Sequence, residues 1–314
     1  MSMVVIGTVF VDIKGYPYGK YIPAGRNSGK VEVVHGGVSR NIVEDIANVE
    51  LRPIFVSTID ETGTGIDVLK KLQKHKVNTK YIKTVPNGMG TWLAVFDHTG
   101  DVVASISNRF DTTELYNIVA ENGDEIFSQA DSILVEIDMG SDLINLVFDL
   151  AEKYNKPVYA VVSNMTIAVE RRDFLLRTDC FVCNEQEAGI LFSDNYEDKT
   201  PEEMTEIIRD KVRDAKINAM VITLGGKGAV YANKAGEYGY CPAKKVDVVD
   251  TTGAGDSFFA GVSIGLNYGK SLKEACEIGT KLAASVIVTK DNVCPRFLPS
   301  EFGIDVEIPE EIVY

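Results

Sequence analysis

Cysteine is scarce and odd in number, five in 314 residues. That argues against a disulfide framework, which is mostly a device of small secreted domains. Cys180 and Cys183 match C-x-x-C, but a zinc site needs four ligands, and no second pair or histidine pair follows at ligand spacing. The two are expected on a buried strand. No charged segment leading into an apolar stretch opens the chain, and no apolar run reaches the roughly 18 residues of a bilayer span. The expected compartment is the cytoplasm, with no membrane partner. Positive charge is also in deficit: 32 Lys and Arg against 46 Asp and Glu give a formal net charge of -14. This argues against nucleic acid as the main partner, although a small basic pocket would still admit phosphates. A Walker A loop is missing, and "GTVFVD" stands where a dinucleotide-binding enzyme would carry its glycine fingerprint.

What is present is enough apolar residue, 45% of the chain, for one large domain or a domain with an attached subdomain. Apolar runs bounded by polar or turn residues occur at Met3–Val9, Pro53–Ile59, Ser132–Ile137, Pro157–Val162, Cys180–Cys183 and Ala219–Leu224. Several are followed by helix-spaced segments, such as "SRNIVEDIANV" with Ile42, Ile46 and Val49 on one side. The alternation predicts an α/β fold, a mostly parallel sheet covered by helices on both faces. Two stretches break it. "GKVEVVHG" and "GTWLAVFDHTGDVVASIS", the latter with a turn at Asp97–Gly100, read as antiparallel pieces. They predict a small sheet built by two excursions of the chain, about 14–35 and 89–109. Such a sheet serves as a lid over a cleft or packs as a plain hairpin.

The stretch "DVVDTTGAGDSFFAG", Asp247–Gly261, carries the strongest chemical signal. Gly253, Ala254 and Gly255 leave the backbone free to turn and its N–H groups uncovered. Beyond them Phe258, Gly261, Val262, Gly265 and Leu266 fall on one face of a helix expected to start near Asp256. First-turn amides and the positive end of the helix dipole make a site for an anion, most naturally a phosphate. Asp256 reads equally as an N-terminal cap or as the acceptor of a proton from a hydroxyl that attacks a phosphoryl group.

"DTTGAGDSFFAG" resembles the C-terminal motif of the ribokinase-like (PfkB) family of carbohydrate and nucleoside kinases. The resemblance implies a Rossmann-like domain with a β-sheet lid that often takes part in dimers. It also implies Asp256 as catalytic base and the amides of Gly253, Ala254 and Gly255 as the anion hole. Other motifs follow in the family's order, from Met3 to about Pro299. "VVIGTVFVDI" resembles the first strand, where Asp12 would bind acceptor hydroxyls. "GGVSRN" resembles the first glycine-pair motif, so Gly36, Gly37 and Asn41 would contact the sugar. Taken singly, Asp12 reads as a strand-end turn residue and the glycines as a tight turn. "NEQEAGIL" resembles the N-x-x-E element, which implies Asn184 and Glu187 near the phosphates, with Glu187 holding Mg²⁺ through water. Alone it reads as an exposed helix start. "VITLGGKGAVY" resembles the nucleotide-side strand and turn, with Thr223, Gly225 and Gly228 bordering ATP.

Departures from the pattern limit what carries over. Many members bind a monovalent cation with residues matching Asp250 and Thr252 and a later segment rich in Gly and Ala. Here that segment reads "VIVTKDNVCP", and Lys290 and Asp291 leave K⁺ dependence open, with a lysine available to stand in for the ion. The arginine before Asn41 and the hairpin "TWLAVFDHTGDVVASISN" look more like pseudouridine kinases than ribokinase. "SNRFDTTEL" and "VVSNMT" depart from that group, so ribose or fructose stays open. A phosphosugar would need a basic cluster, for which only Arg40, Arg109 and Lys30 are candidates. The expected function is ATP-dependent phosphorylation of a primary hydroxyl of a sugar or nucleoside, across a single domain spanning 1–314. The alternative is a non-catalytic sugar or nucleotide sensor on the same fold, against which the retained Asp256 counts.

Overall fold

Strand β1 (Met3–Ile6) is four buried apolar residues that alternate sides, Met3 and Val5 toward one core and Val4 and Ile6 toward another. A strand buried on both faces belongs in the middle of a covered parallel sheet, and β1 lies between β4 (Ile54–Ile59) and β8 (Ser132–Glu136), parallel to both. The computed structural model describes residues 2–98, 102–109, 111–163, 169–170 and 172–306. The large sheet has the order β13-β12-β11-β10-β9-β8-β1-β4-β5. Its other members are β5 (Asn78–Thr84), β9 (Val158–Val161), β10 (Cys180–Asn184), β11 (Ala219–Thr223), β12 (Gly228–Asn233) and β13 (Tyr238–Pro242). Pairing is parallel from β5 through to β11, and only the β11-β12-β13 edge is antiparallel.

Helices cover both faces. On one side pack α3 (Thr113–Gln129), α4 (Ser141–Lys153), α5 (Asp173–Arg177), α6 (Glu185–Phe192) and α7 (Pro201–Ala215). On the other pack α1 (Val38–Asn48), α2 (Gly63–Lys74), α8 (Ala254–Asn267) and α9 (Leu272–Val286). Cys180 and Cys183 fall in different cores, on opposite faces of β10, so they cannot share a metal. The glycines of α8 allow the close packing expected of them. A Cβ on Gly261 would lie 2.6 Å from Gly279 Cα, so one added methyl would force α8 and α9 apart, at a cost of about 1–3 kcal/mol.

The second sheet has the order β3-β2-β6-β7, from β2 (Phe10–Pro17), β3 (Gly29–Gly36), β6 (Gly90–Phe96) and β7 (Val102–Asn108). Three expectations need correction here. The run Met3–Val9 is not one strand: β1 ends at Ile6, and Gly7, where a Cβ would lie 1.9 Å from Ser39 Oγ, lets the chain leave the main sheet. Asp12 therefore sits on the second sheet, which begins at Phe10 and not near residue 14. The two excursions are also joined in parallel, β2 against β6, so the small sheet is mixed. The tip of the expected turn at Asp97–Gly100 and residues 110 and 164–166 of the departing segments lie outside the described residues.

Strands β1, β4 and β5 run to one side of the sheet and β8 to β11 to the other, so the order reverses between β1 and β8. In open α/β sheets the crevice at such a reversal, beyond the carboxyl ends of the strands, is where ligands bind.

Candidate active site

At that reversal lies Glu136, the last residue of β8 and almost wholly buried. Its Oε1 accepts from the Thr8 and Ser39 amides at 3.1 and 3.2 Å and from their hydroxyls at 2.9 and 2.6 Å. One carboxylate oxygen thus fixes the loop after β1 to the start of α1. Burial, with the charge of Asp138, pushes the Glu136 carboxyl up from its ordinary range.

Helix α1 is buried on nearly every side, polar residues included. Its N-cap is Gly37, with φ 99°, where a Cβ would lie 2.7 Å from the Thr8 carbonyl oxygen. At Gly36 a Cβ would lie 2.4 Å from Asp12 Oδ1, so the missing side chain is what gives that carboxylate its place. Arg40 donates to the carbonyls of His35 and Gly36 and pairs with Glu44 at 2.6 Å, while Lys71 closes on the same carboxylate at 2.8 Å. Arg40 is only 1% exposed and fully engaged, so it is no phosphate clamp. Lys30 pairs with Glu32, and Arg109 bridges to Asp138 at 3.0 Å, so the three candidate cations do not form the basic cluster that a phosphosugar would need.

One turn apart on α1, Asn41 and Asp45 reach the start of α8. Asn41 Nδ2 donates to Asp256 Oδ2 at 2.6 Å, and Ser257 Oγ donates to Asp45 Oδ2 at 2.7 Å. Asn41 Oδ1 is buried with no hydrogen-bond partner among the described residues. A buried orphan acceptor costs about 1–3 kcal/mol unless a donor arrives. It is therefore suited to a ligand O–H. The Asp256 carboxyl is raised to about 7, chiefly by burial, with Glu136 and Asp12 adding to the rise and the Asn41 bond and Arg40 opposing it. Asp45 also stands at about 7, chiefly through burial, against the bonds from Cys294 and Ser257 that favour its ionised form.

Helix α8 starts at Ala254, two residues earlier than expected, and its N-cap is Gly253 with φ 81°. A Cβ there would lie 2.1 Å from the Asn292 carbonyl oxygen, which excludes any other residue. Asp256 is thus inside the first turn and is not the cap. The N–H groups of Gly253 and Gly255 make no hydrogen bond among the described residues, but that of Ala254 reaches the Thr251 carbonyl at 3.2 Å. Two of the three expected amides are free to bind an anion.

Beside this turn opens a cleft of about 430 Å³, bordered by Thr223, Gly225, Gly228, Gly255, Phe258 and Ile287. A nucleotide requires a pocket of this order. At Gly225 and Gly255 a Cβ would meet nothing within 4 Å, whereas at Gly228 it would lie 2.2 Å from the Cys241 carbonyl oxygen. Gly228 is therefore demanded by the β12–β13 hairpin as well as by the cleft. Asn184 ends β10 beside Thr223, and with Glu187 it forms a reciprocal cap on α6, both bonds 2.8 Å. Burial raises the Glu187 carboxyl, and Asp138 raises it further. Glu187 and Asp138 are close enough for the charge of one to act on the other, and such a pair of acids fits Mg²⁺ held through water. Asp250 and Thr252 share one turn, closed by the Thr252 N–H on Asp250 Oδ1 at 2.8 Å, and Lys290 and Asp291 are exposed. Among the described residues no cluster of three or more His, Cys, Asp or Glu side chains could hold a metal ion, and no helix is long and apolar enough to cross a membrane.

The profile described as pfkB family carbohydrate kinase matches residues 1–297. The chain belongs to the pfkB family of carbohydrate kinases. This pfkB kinase is 31% identical over 293 residues to guanosine-inosine kinase of Exiguobacterium acetylicum, covering 93% of this chain and 96% of that one. It is 25% identical over 263 residues to pseudouridine kinase of Escherichia coli (strain K12), covering 83% and 82%. Its fold matches Arabidopsis thaliana ribokinase complexed with ribose and ATP, with a TM-score of 0.79, 21% identity, and coverage of 94% of this chain and 96% of that one. The glycine-flanked acid of the 247–261 stretch was the readable signal. Glu136, Asp138 and Asp45 were missed, although an acid closing the apolar run "SILVE" is a sequence cue for Glu136.

Proposed function

We propose that this pfkB kinase transfers the γ-phosphoryl group of ATP to a primary hydroxyl of a sugar or nucleoside, with Asp256 as general base. The observation that carries the reading is the position of Asp256. It is a half-buried carboxylate one residue beyond a nucleotide-sized cleft, bonded on its other side to Asn41 and close to Asp12. Donor and acceptor would meet across it. The free amides of Gly253 and Gly255 would hold the charge that develops on the transferred group, with Ala254 in a lesser role because its N–H is shared. Asp12 would accept from acceptor hydroxyls; Gly36 leaves space for that carboxylate and Gly37 for the Thr8 carbonyl beside it, and the backbone of both would face the sugar. The orphan Asn41 Oδ1 would take a further O–H.

Thr223, Gly225 and Gly228 would border ATP. Mg²⁺, near Asn184 and Glu187, supplies neutralisation of phosphate charge when bound. The small sheet would close as a lid, and its Arg109–Asp138 bridge to the main sheet supports that role. Its outer face exposes Val31, Val33, Leu93 and Ile106, which supports a homodimer through this sheet, to be read by sedimentation. Asp250 and Thr252 would be the monovalent-cation residues if K⁺ is used. The direct test is ADP release from ATP and Mg²⁺ over a panel of ribose, fructose, adenosine, inosine and pseudouridine, with and without K⁺. One or a few strong acceptors support the reading; silence across the panel despite ATP binding contradicts it.

A further inference from the structure

Helix α1 carries Asn41, Asp45 and Asn48 along one face, about one turn apart. Each bonds to a distant part of the chain. Asn41 reaches Asp256, and Asn48 Nδ2 donates to the Cys294 carbonyl at 2.7 Å. Asp45 lies between them and bonds in both directions. Its Oδ2 accepts from Ser257 Oγ at 2.7 Å, and its Oδ1 accepts from the Cys294 N–H at 2.5 Å. Asp45 and Ser257 are fully buried, and Cys294 nearly so.

The two partners of Asp45 stand on either side of the turn Gly253–Gly255. Ser257 follows Asp256 directly, and its N–H closes the first turn of α8 on the Gly253 carbonyl at 2.9 Å. Cys294 belongs to the segment after α9, which backs the turn. The Asn292 carbonyl oxygen of that segment would lie 2.1 Å from a Cβ on Gly253, and the Asn292 side chain donates to the His35 carbonyl at 2.8 Å. The turn is thus held between α8 and residues 292–294, and Asp45 ties both to α1. Its partners are a hydroxyl and an amide, neither of them charged, and burying an acid on such partners costs stability. The reaction proposed above gives Asp45 and Ser257 no part.

We infer that Asp45 is a positioning residue for phosphoryl transfer: through Ser257 and Cys294 it fixes the turn whose amides meet the developing charge. This role rests on the kinase reading above and deepens it. Asp45 has no exposed surface, so it acts through its neighbours and not on a ligand. Amide donors must stand about 2.7–3.1 Å from the place that charge occupies, and a misplacement of about 1 Å costs on the order of 100-fold in rate. Binding before the transfer depends on other contacts, those of the cleft walls with ATP and of Asp12 and Asn41 with the acceptor. Loss of the Asp45 bonds therefore lowers kcat and leaves KM.

The test is steady-state kinetics of the full-length protein with ATP, Mg²⁺ and the best acceptor of the panel, well below the melting temperature of each variant. Asp45→Ala removes both bonds and is expected to lower kcat about 10- to 100-fold, with KM for ATP and for the acceptor within about threefold. Ser257→Ala removes one bond, and a loss of about tenfold is expected. The two losses should not multiply: the double variant is expected to match Asp45→Ala within about threefold. Asp45→Asn keeps an acceptor for the Cys294 N–H, and the Ser257 hydroxyl can turn to accept from the introduced amide, so kcat should stay within about threefold of the unaltered protein. Unchanged kcat in Ser257→Ala, losses that multiply in the double variant, or equal losses in Asp45→Asn and Asp45→Ala overturn the assignment. A lowered melting temperature with unchanged kcat does so too, because Asp45 is then structural only. Ser257→Ala and Asp45→Asn decide the question if Asp45→Ala does not fold. Turnover by the unaltered protein with kcat unaffected in the variants counts against this role alone, whereas no turnover on any acceptor counts against the kinase reading and removes this role with it.

Discussion

Asn41 Nδ2 and Asp256 Oδ2 lie 2.6 Å apart across 215 positions of sequence, and this bond joins the first glycine-pair helix to the glycine-rich turn of α8. It holds the carboxylate in one orientation and favours its ionised form, against a burial effect that favours the neutral one. In Asn41→Ala the second effect is opposed by Arg40 alone. We expect kcat/KM to fall roughly 10- to 100-fold at neutral pH, the worth of one hydrogen bond to a charged group. The acid limb of the pH profile should move to higher pH. A limb that stays in place would mean that Asn41 acts on the acceptor alone.

In the unaltered protein the base must be ionised to work, and burial holds Asp256 at about 7. Activity should rise with pH through about 7 and level above it. The profile of kcat/KM against pH, in a buffer series of constant ionic strength, reads this directly. A limb in the ordinary carboxylate range would contradict the burial of this group.

Stability should run the other way. Asp45 and Asp256 both stand near 7, so between about pH 4 and 7 the folded protein holds protons that the unfolded chain has lost. Their contribution to stability is therefore largest at the acid end of that window and declines as pH rises through it. Asp45→Asn keeps an acceptor for the Cys294 N–H and removes one such carboxylate. Thermal unfolding between pH 5 and 8 should be less pH-dependent in this variant, by at most about 1.4 kcal/mol per pH unit. An unchanged slope would show that Asp45 is already ionised in the fold.

Two glycines in one turn should respond differently. Gly253→Ala places a Cβ 2.1 Å from a carbonyl oxygen at φ 81° and should destabilise by about 1–3 kcal/mol. Gly255→Ala meets nothing within 4 Å and should leave the melting temperature unchanged or slightly raised, while its methyl intrudes on the cleft and raises KM for ATP. Thermal melts beside ATP titrations distinguish a structural glycine from one kept open for a ligand.

The chain itself made most of this readable. Six apolar runs mark the parallel strands other than β5, whose sequence is mostly polar, and the "GAGD" turn marks the site, because tight turns and buried strands leave local signatures. What was not readable depends on distant partners. Gly7 lets the chain leave β1 because Ser39 fills the space beside it, so Asp12 moves to the small sheet. Arg40 reads as a free cation until Glu44 and the His35 carbonyl are seen to enclose it. Asn184 and Glu187 cap each other, a local role that their spacing alone also fits. Glu136 and Asp45 gain their meaning only from contacts 97 to 249 positions away.

The central claim is that Asp256 takes the proton from the acceptor. It is tested most directly by the turnover of Asp256→Asn on the best acceptor found in the panel, with ATP affinity and melting temperature measured on the same preparation. The account predicts an unchanged fold, retained ATP binding and a loss of about 10²- to 10⁴-fold in kcat. Turnover close to that of the unaltered protein, with folding and ATP binding intact, would contradict it.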